Sequence, residues 1–347
     1  MTTRLSNVQI EQMYASERVL LNGTNSDDYA VLNSPAVKIL SGVSKEITST
    51  AKVVTTNFWH NLARSGTVNT SSDDPAQKGA VNSVSQRQLT MAVYRPNSGA
   101  SVMDLVDEIK AGEALAEAAR FNREILLANR EDAVINALIG ATSADPSRVR
   151  NISQTTGAST FNFNELNKAK GILGHKRGTL RTLLVNAEGM SAIRQKLAED
   201  KRDVNENADG SISFGGMRVI ESPYLPETKI EAGNPLIGQG DIAEGDVIAT
   251  AYLVGDGVVG IGNGTPANPY EYERDAASGN GGGQGTMWDR ETYALTVAGF
   301  SWATTDGVTS AADYADPANW TYKLDDKKMC PLVGFVFRVP AADVVTV

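Results

Sequence analysis

The sequence predicts an α+β chain, on three observations. Residues 293–302 (Tyr-Ala-Leu-Thr-Val-Ala-Gly-Phe-Ser-Trp) and 331–339 (Pro-Leu-Val-Gly-Phe-Val-Phe-Arg-Val) alternate in the manner of strands with one buried face. Residues 101–140 instead repeat apolar side chains at helical spacing over an unusually long run. Between them, residues 160–280 switch between the two periods, so helices and strands mix in a central unit.

Taken in order, residues 1–56 read as an arm, with Val8, Ile10, Met13, Tyr14 and Val19 at loose helical spacing and turn signals at Asn22, Gly23 and at Asn33, Ser34, Pro35. Residues 57–100 hold two extended pieces around a polar, turn-rich tip at 65–75, which describes a long β-hairpin. A hairpin alone is marginal in water, so this one is expected to lie on another surface. Residues 101–150 carry the long helix. Ser101 and Asp104 fit a helix start, Asp107 and Glu108 favour the N-terminal dipole end, and Leu105, Ile109, Leu115, Ala119, Leu126, Val134, Ile135 and Leu138 form the stripe until Gly140 stops it. A coiled-coil seam in register from Val102 and Leu105 would carry Gly112, Ala116, Arg123 and Arg130, which a dimer core disfavours, so the helix is expected to pack on a sheet.

Residues 151–284 read as a small α/β unit, with helices at 161–173 and 187–199 and strands at 180–185, 217–220 and 247–254. A glycine-rich stretch at 279–285 reads as a loop flexible enough to act as a joint or an exposed contact. Residues 285–347 bring back two strands joined by a polar connection, 303–328, which holds Asp313, Asp316, Asp325 and Asp326 and reads as a solvated link.

Composition excludes more than it proposes. With 41% hydrophobic and 21% charged residues the chain is ordinary for a globular protein, and no apolar run suits a membrane span. The start of the chain lacks a secretory pattern. One cysteine, Cys330, allows no internal disulfide and reads as a packed thiol. A formal charge of −9 opposes tight adhesion to nucleic acid, although a container gains nothing by sticking to a packed polyanion.

Motifs for catalysis fail on context. The two histidines, His60 and His175, lie far apart and read as structural or solvated. Gly255, Gly257 and Gly260 match a dinucleotide fingerprint, but Pro266 and further glycines follow where a helix must begin. Residues 205–216 imitate a calcium loop, yet the first ligand is Asn205 and the bidentate acid is replaced by Gly216; a tight turn at Asp209 and Gly210 is simpler. Ser301 sits in a near-elbow without its last glycine, inside what reads as a strand of ten residues. No catalytic residue, cofactor or metal is expected.

The order of arm, polar hairpin, spine helix, α/β unit and returning sheet, with local echoes at 216–226, 248–259, 271–275 and 299–302, resembles the Hong Kong 97-type coat fold of tailed-bacteriophage major capsid proteins. The resemblance implies an N-arm (1–56), an extended loop (57–100), a peripheral domain made of the spine helix region (101–150) and the return strands (285–347), and an axial domain (151–284). It further implies a virion coat protein, assembled in the bacterial host cytoplasm as hexamers and pentamers into an icosahedral shell around double-stranded DNA, with a separate scaffolding protein, a portal and in some relatives a decoration protein. Asp73, Asp74, Lys78 and Arg87 are the candidate intersubunit contacts. Lysine–asparagine crosslinking, which some relatives use, finds no asparagine and acid that align with Lys78. The alternatives are an encapsulin-like nanocompartment shell of the same fold and, from another class, an α/β enzyme with its site in 160–280.

Overall fold

The computed structural model describes residues 29–47, 51–59, 67–82, 86–109, 113–200, 205–206 and 212–343. The helical spacing expected at Val8 to Val19, the turn at Asn22 and Gly23, His60, and the turn at Asp209 and Gly210 lie outside the described residues. The chain opens with strands β1 (Val37–Ile39), β2 (Val53–Trp59), β3 (Gln86–Tyr94) and β4 (Asn97–Met103), then helices α1 (Asp104–Ile109) and α2 (Glu113–Ala144). Next come β5 (Val149–Asn151), α3 (Phe163–Gly171), β6 (Leu180–Val185), α4 (Ala187–Glu199), β7 (Asn205–Glu206), β8 (Ile212–Phe214), β9 (Met217–Glu221) and β10 (Glu227–Lys229). The chain continues with β11 (Val247–Gly255), β12 (Val259–Asn263), β13 (Tyr270–Asp275), β14 (Gln284–Arg290), β15 (Tyr293–Val297), β16 (Phe300–Trp302), β17 (Trp320–Tyr322) and β18 (Leu332–Val339).

These strands build three main sheets, ordered β1-β12-β15-β3-β2, β5-β18-β11-β6-β9-β8-β7 with β10 also on β11, and β13-β14-β4; β16 and β17 make a separate ribbon. The middle of the second sheet is buried on both faces, which explains why β6 reads Leu-Arg-Thr-Leu-Leu-Val rather than alternating. One face carries α3 and α4 over Leu183, Phe335 and Phe337; the other meets the C-terminal half of α2 through Leu184, Tyr252 and Val254. Each such buried side chain contributes about 1.5–3 kcal/mol. Asn162 and Asn186 cap α3 and α4 by accepting from Glu165 N at 2.8 Å and Gly189 N at 3.0 Å, so the sequence sets both helix starts.

Five expectations need correction. Ser101 does not open a helix: it lies in β4, paired with Thr286 of β14, and the helical stretch begins at Asp104. Gly140 does not stop the long helix, which runs on to Ala144. It is glycine because of close approach: a Cβ there would overlap the Tyr314 carbonyl and lie 2.5 Å from Trp320 Nε1. Residues 293–302 are not one strand but β15 and β16, split at Gly299, whose φ of 81° bends the chain from one sheet into the ribbon. Only part of the stretch 279–285 is loop, since Gln284 and Gly285 pair with Met103 and Val102 while 279–282 stay exposed. Residues 285–347 also divide between sheets, for β18 pairs with β11 over eight positions, from Val247 with Val339 to Val254 with Leu332.

The polar connection 303–328 is a chain of capped 3-10 turns. Asp313 Oδ2 accepts from Thr309 N at 2.8 Å, Thr309 Oγ1 at 2.7 Å and Ser310 N at 3.0 Å. Asp316 and Asp326 cap the next two turns through Ala318 N and Lys328 N, each at 2.9 Å. Its aromatic residues fold inward, with Tyr314 fully buried and Trp302 and Trp320 packed edge to face at 5.4 Å.

Candidate assembly surfaces

The extended loop is rooted in the first sheet, where β3 lies between β15 and β2, and only its outer part leaves the core. Its arms pair antiparallel from Val53 with Ala92 to Trp59 with Gln86, and residues 67–82 beyond them are all exposed. Two asparagines hold this outer part as a two-stranded ribbon. Asn69 Nδ2 donates to Ala80 O at 2.7 Å while its Oδ1 accepts from Ala80 N at 2.9 Å. Asn82 does the same to Thr67, with Nδ2 to O at 2.9 Å and Oδ1 from N at 2.7 Å. Each amide mimics the paired donor and acceptor of a backbone unit, so it satisfies both polar groups of the residue opposite. Gly79 leaves room for this, because a Cβ there would lie 3.1 Å from Asn69 Nδ2.

The clasps set Thr67 opposite Asn82 and Asn69 opposite Ala80, which puts Val68 opposite Val81. Both valines are almost wholly in water, at 93% and 94% exposure. An apolar cross-strand pair held up to solvent by two clasps buries nothing in its own chain and is available for contact. A second exposed apolar set lies along α1 and the first half of α2, at Leu105, Val106, Phe121 and Ile125. There Arg120 stacks on Phe121 at 4.8 Å from the ring centre and pairs with Glu117 and Glu124.

The candidate contacts fall into two groups. Asp73, Asp74 and Lys78 sit exposed at the loop tip, where Asp74 Oδ1 accepts from Ala76 N at 2.9 Å. Arg87 lies in the arm β3 and is engaged within the chain, donating from Nη1 to Lys323 O at 2.7 Å and pairing from Nη2 with Asp325 at 2.7 Å. Asn69, Gly79, Asn82 and the two valines were not singled out from sequence. The signal was there as a repeated Val-Asn followed by Thr or Ser, at 68–70 and 81–83, on opposite sides of the tip.

Helix α2 is tied to the return strands by buried charge. Arg123 pairs with Glu291 Oε1, and Arg130 with Oε2 at 3.1 Å while lying 4.7 Å from the Tyr293 ring centre. Asn122 donates to Met287 O at 2.8 Å. Arg123 and Arg130, which argue against a coiled-coil seam, are thus the polar teeth of the helix–sheet contact. At the C-terminal end of α2, Arg148 is fully buried between the Phe300 and Tyr322 rings and donates to Cys330 O at 3.1 Å.

The sequence motifs with catalytic overtones resolve as structure. The glycine fingerprint at 255–260 is the turn from β11 to β12, a strand where a nucleotide site needs a helix. Ser301 is buried in β16, its Oγ accepting from Thr90 N at 3.0 Å. His175 is exposed on a turn. Burial pushes the Cys330 thiol up to about 12, so it is a packed group and no nucleophile. Among the described residues no cluster of His, Cys, Asp or Glu could hold a metal, and no helix is long and apolar enough to cross a membrane.

No family model and no curated protein matches the chain. Solved structures do match it over most of its length. The capsid of Ralstonia phage GP4 aligns with a TM-score of 0.51 at 8% identity, covering 88% of this chain and 87% of that one. The acidic stable capsid of Helicobacter pylori bacteriophage KHP30 aligns with a TM-score of 0.50 at 12% identity, covering 88% of each. Mycobacterium phage Bobi aligns at 0.49 and 13% identity over 96% of this chain. Identity this low speaks to architecture alone, and the alignments to the GP4 and KHP30 capsids over most of both chains show that the chain has the phage capsid fold.

Proposed function

We propose that the chain is the major capsid protein of a tailed bacteriophage, a structural subunit that assembles with copies of itself into an icosahedral shell. The observation that carries this reading is the full-length likeness to phage capsid subunits, nearly nine-tenths of each chain for GP4 and KHP30. The projecting loop supports it, since a ribbon that buries nothing in its own chain is suited to lie on the next copy. Heterologous contacts of this kind close into rings and shells when the rotation between copies permits.

On this reading hexamers and pentamers are the building units, double-stranded DNA is enclosed without base readout, and a scaffolding protein and portal act during assembly in the host cytoplasm. Residues 151–284 supply the axial domain and Asp73, Asp74 and Lys78 face neighbours, while Arg87 fixes the loop's base. A nanocompartment shell is not favoured, because the similar solved structures are phage capsids. Sedimentation velocity of the purified chain, with negative-stain microscopy of the fast fractions, tests the proposal. Rings, hexamer-sized species or closed shells are expected; a strictly monomeric chain, alone and with candidate scaffolding protein, would overturn it.

A further inference from the structure

Many described cations of this acidic chain have a carboxylate at hand: Arg150 and Lys168 share Glu165, Arg274 meets Asp104, Arg290 meets Glu271 and Arg338 meets Asp246. Two short turns depart from that pattern together. Gly174–Thr179, which leads into β6, carries His175, Lys176 and Arg177. Lys327–Met329, just before β18, carries Lys327 and Lys328. The turns touch, because Gly174 has a φ of 55° and no side chain: a Cβ there would lie 3.4 Å from Lys328 Cε and 3.7 Å from its Nζ. Lys170 adjoins them at the end of α3, and burial, then the charge of Arg177, lower its pKa.

Among the described residues none of Lys170, Lys176, Arg177, Lys327 or Lys328 forms an ion pair. Asp326 stands beside them, but its Oδ1 accepts the Lys328 N–H. Like charges gathered this way repel, and the backbones that carry them are held close, since both turns run into strands that flank β11 in the central sheet. Such a corner is stabilised when an anion sits on it.

We propose that this corner is a docking surface for an acidic segment of another polypeptide. Duplex DNA fits less well. Binding to its backbone rests on a stripe of roughly 6–10 phosphate contacts, whereas these cations occupy two adjoining turns of a chain with a net charge of −9. Met329, 37% exposed on the second turn, adds an apolar contact that an amphipathic acidic segment uses and a phosphate backbone does not.

The test measures fluorescence anisotropy of two labelled probes on the full chain, an amphipathic Glu/Leu peptide and a mixed-sequence DNA duplex, at low salt and at about 200 mM salt. The variant K176E/R177E/K328E is set against K38E/K45E/K229E, which makes the same change in net charge at exposed lysines elsewhere. The corner variant is expected to lose peptide affinity about tenfold or more while the control keeps it within about threefold. Equal losses in both variants, or tighter binding of the duplex than of the peptide at this corner, overturn the proposal. If charge reversal prevents folding, K176Q/R177Q/K328Q replaces it under the same criteria. Shell formation is scored separately by microscopy, so a chain that builds shells yet ignores the peptide sinks this inference and leaves the coat assignment standing.

Discussion

The smallest unit on which the loop depends is one amide group. Asn69 and Asn82 each donate and accept, so a change to aspartate keeps the acceptor and replaces the donor with an oxygen facing a carbonyl. Exposed hydrogen bonds contribute little to global stability, about 0.5–1.5 kcal/mol at most. N69D/N82D is therefore expected to melt like the parent but to form few or no shells by electron microscopy; normal shells would show that the clasps are incidental. At Asp313 the consequence appears in stability instead. Burial raises its carboxyl pKa, but the bonds from Thr309 and Ser310 outweigh that and hold it below the ordinary carboxylate range. Because the folded pKa is depressed, the stabilisation is present above the unfolded value of about 3.9 and fades as pH falls through the folded one. Asp313→Asn should thus cost about 1–3 kcal/mol at neutral pH, with a gap from the parent that narrows towards pH 3 in urea titrations. A constant gap at every pH would point to lost packing rather than lost charge.

At the scale of elements, the long helix pits propensity against packing. Gly140→Ala should stabilise an isolated helix by about 1 kcal/mol. In place, the new methyl meets the Tyr314 carbonyl, whose oxygen also accepts from Trp320 Nε1 at 2.7 Å, and overpacking typically costs about 1–3 kcal/mol. The backbone carbonyl has little freedom to yield, so the net effect is expected to be destabilising in denaturant unfolding; a more stable variant would refute the close approach. The same glycine marks where legibility ended. Strands β6 and β18 and helix α4 could be read nearly to the residue, because local period agrees with the tertiary answer. Gly140 looked like a stop and Ser101 like a cap because the helix's partners, the 3-10 turns after β16 and the strand β14, lie more than 140 residues away in the chain. The loop's breadth was legible from polarity and turn residues, whereas its clasps depended on a cross-strand register that no local pattern fixes.

For the molecule as a whole, the decisive contrast is between a well-packed body and an outer loop segment, 67–82, in which every residue is exposed. Two core clusters run through the sheets and both faces of the central one, yet neither includes a residue from 67–82. Removing that segment and bridging the gap with a short Gly/Ser linker therefore takes nothing from the core, and loop-closure entropy changes only by about 0.6 kcal/mol per doubling of length. The shortened chain should keep its melting temperature within the few degrees that about 1 kcal/mol represents for a protein of this size. What it loses is the clasped ribbon with Val68, Val81 and the charged tip, which under the proposed function is the part that reaches a neighbour. Gradient sedimentation is expected to show subunits or small oligomers in place of shells. Full-sized shells from the shortened chain would move the essential contacts to the other exposed apolar set, along α1 and the first half of α2, and the valine-to-glutamate pair V68E/V81E would then have no effect on assembly either.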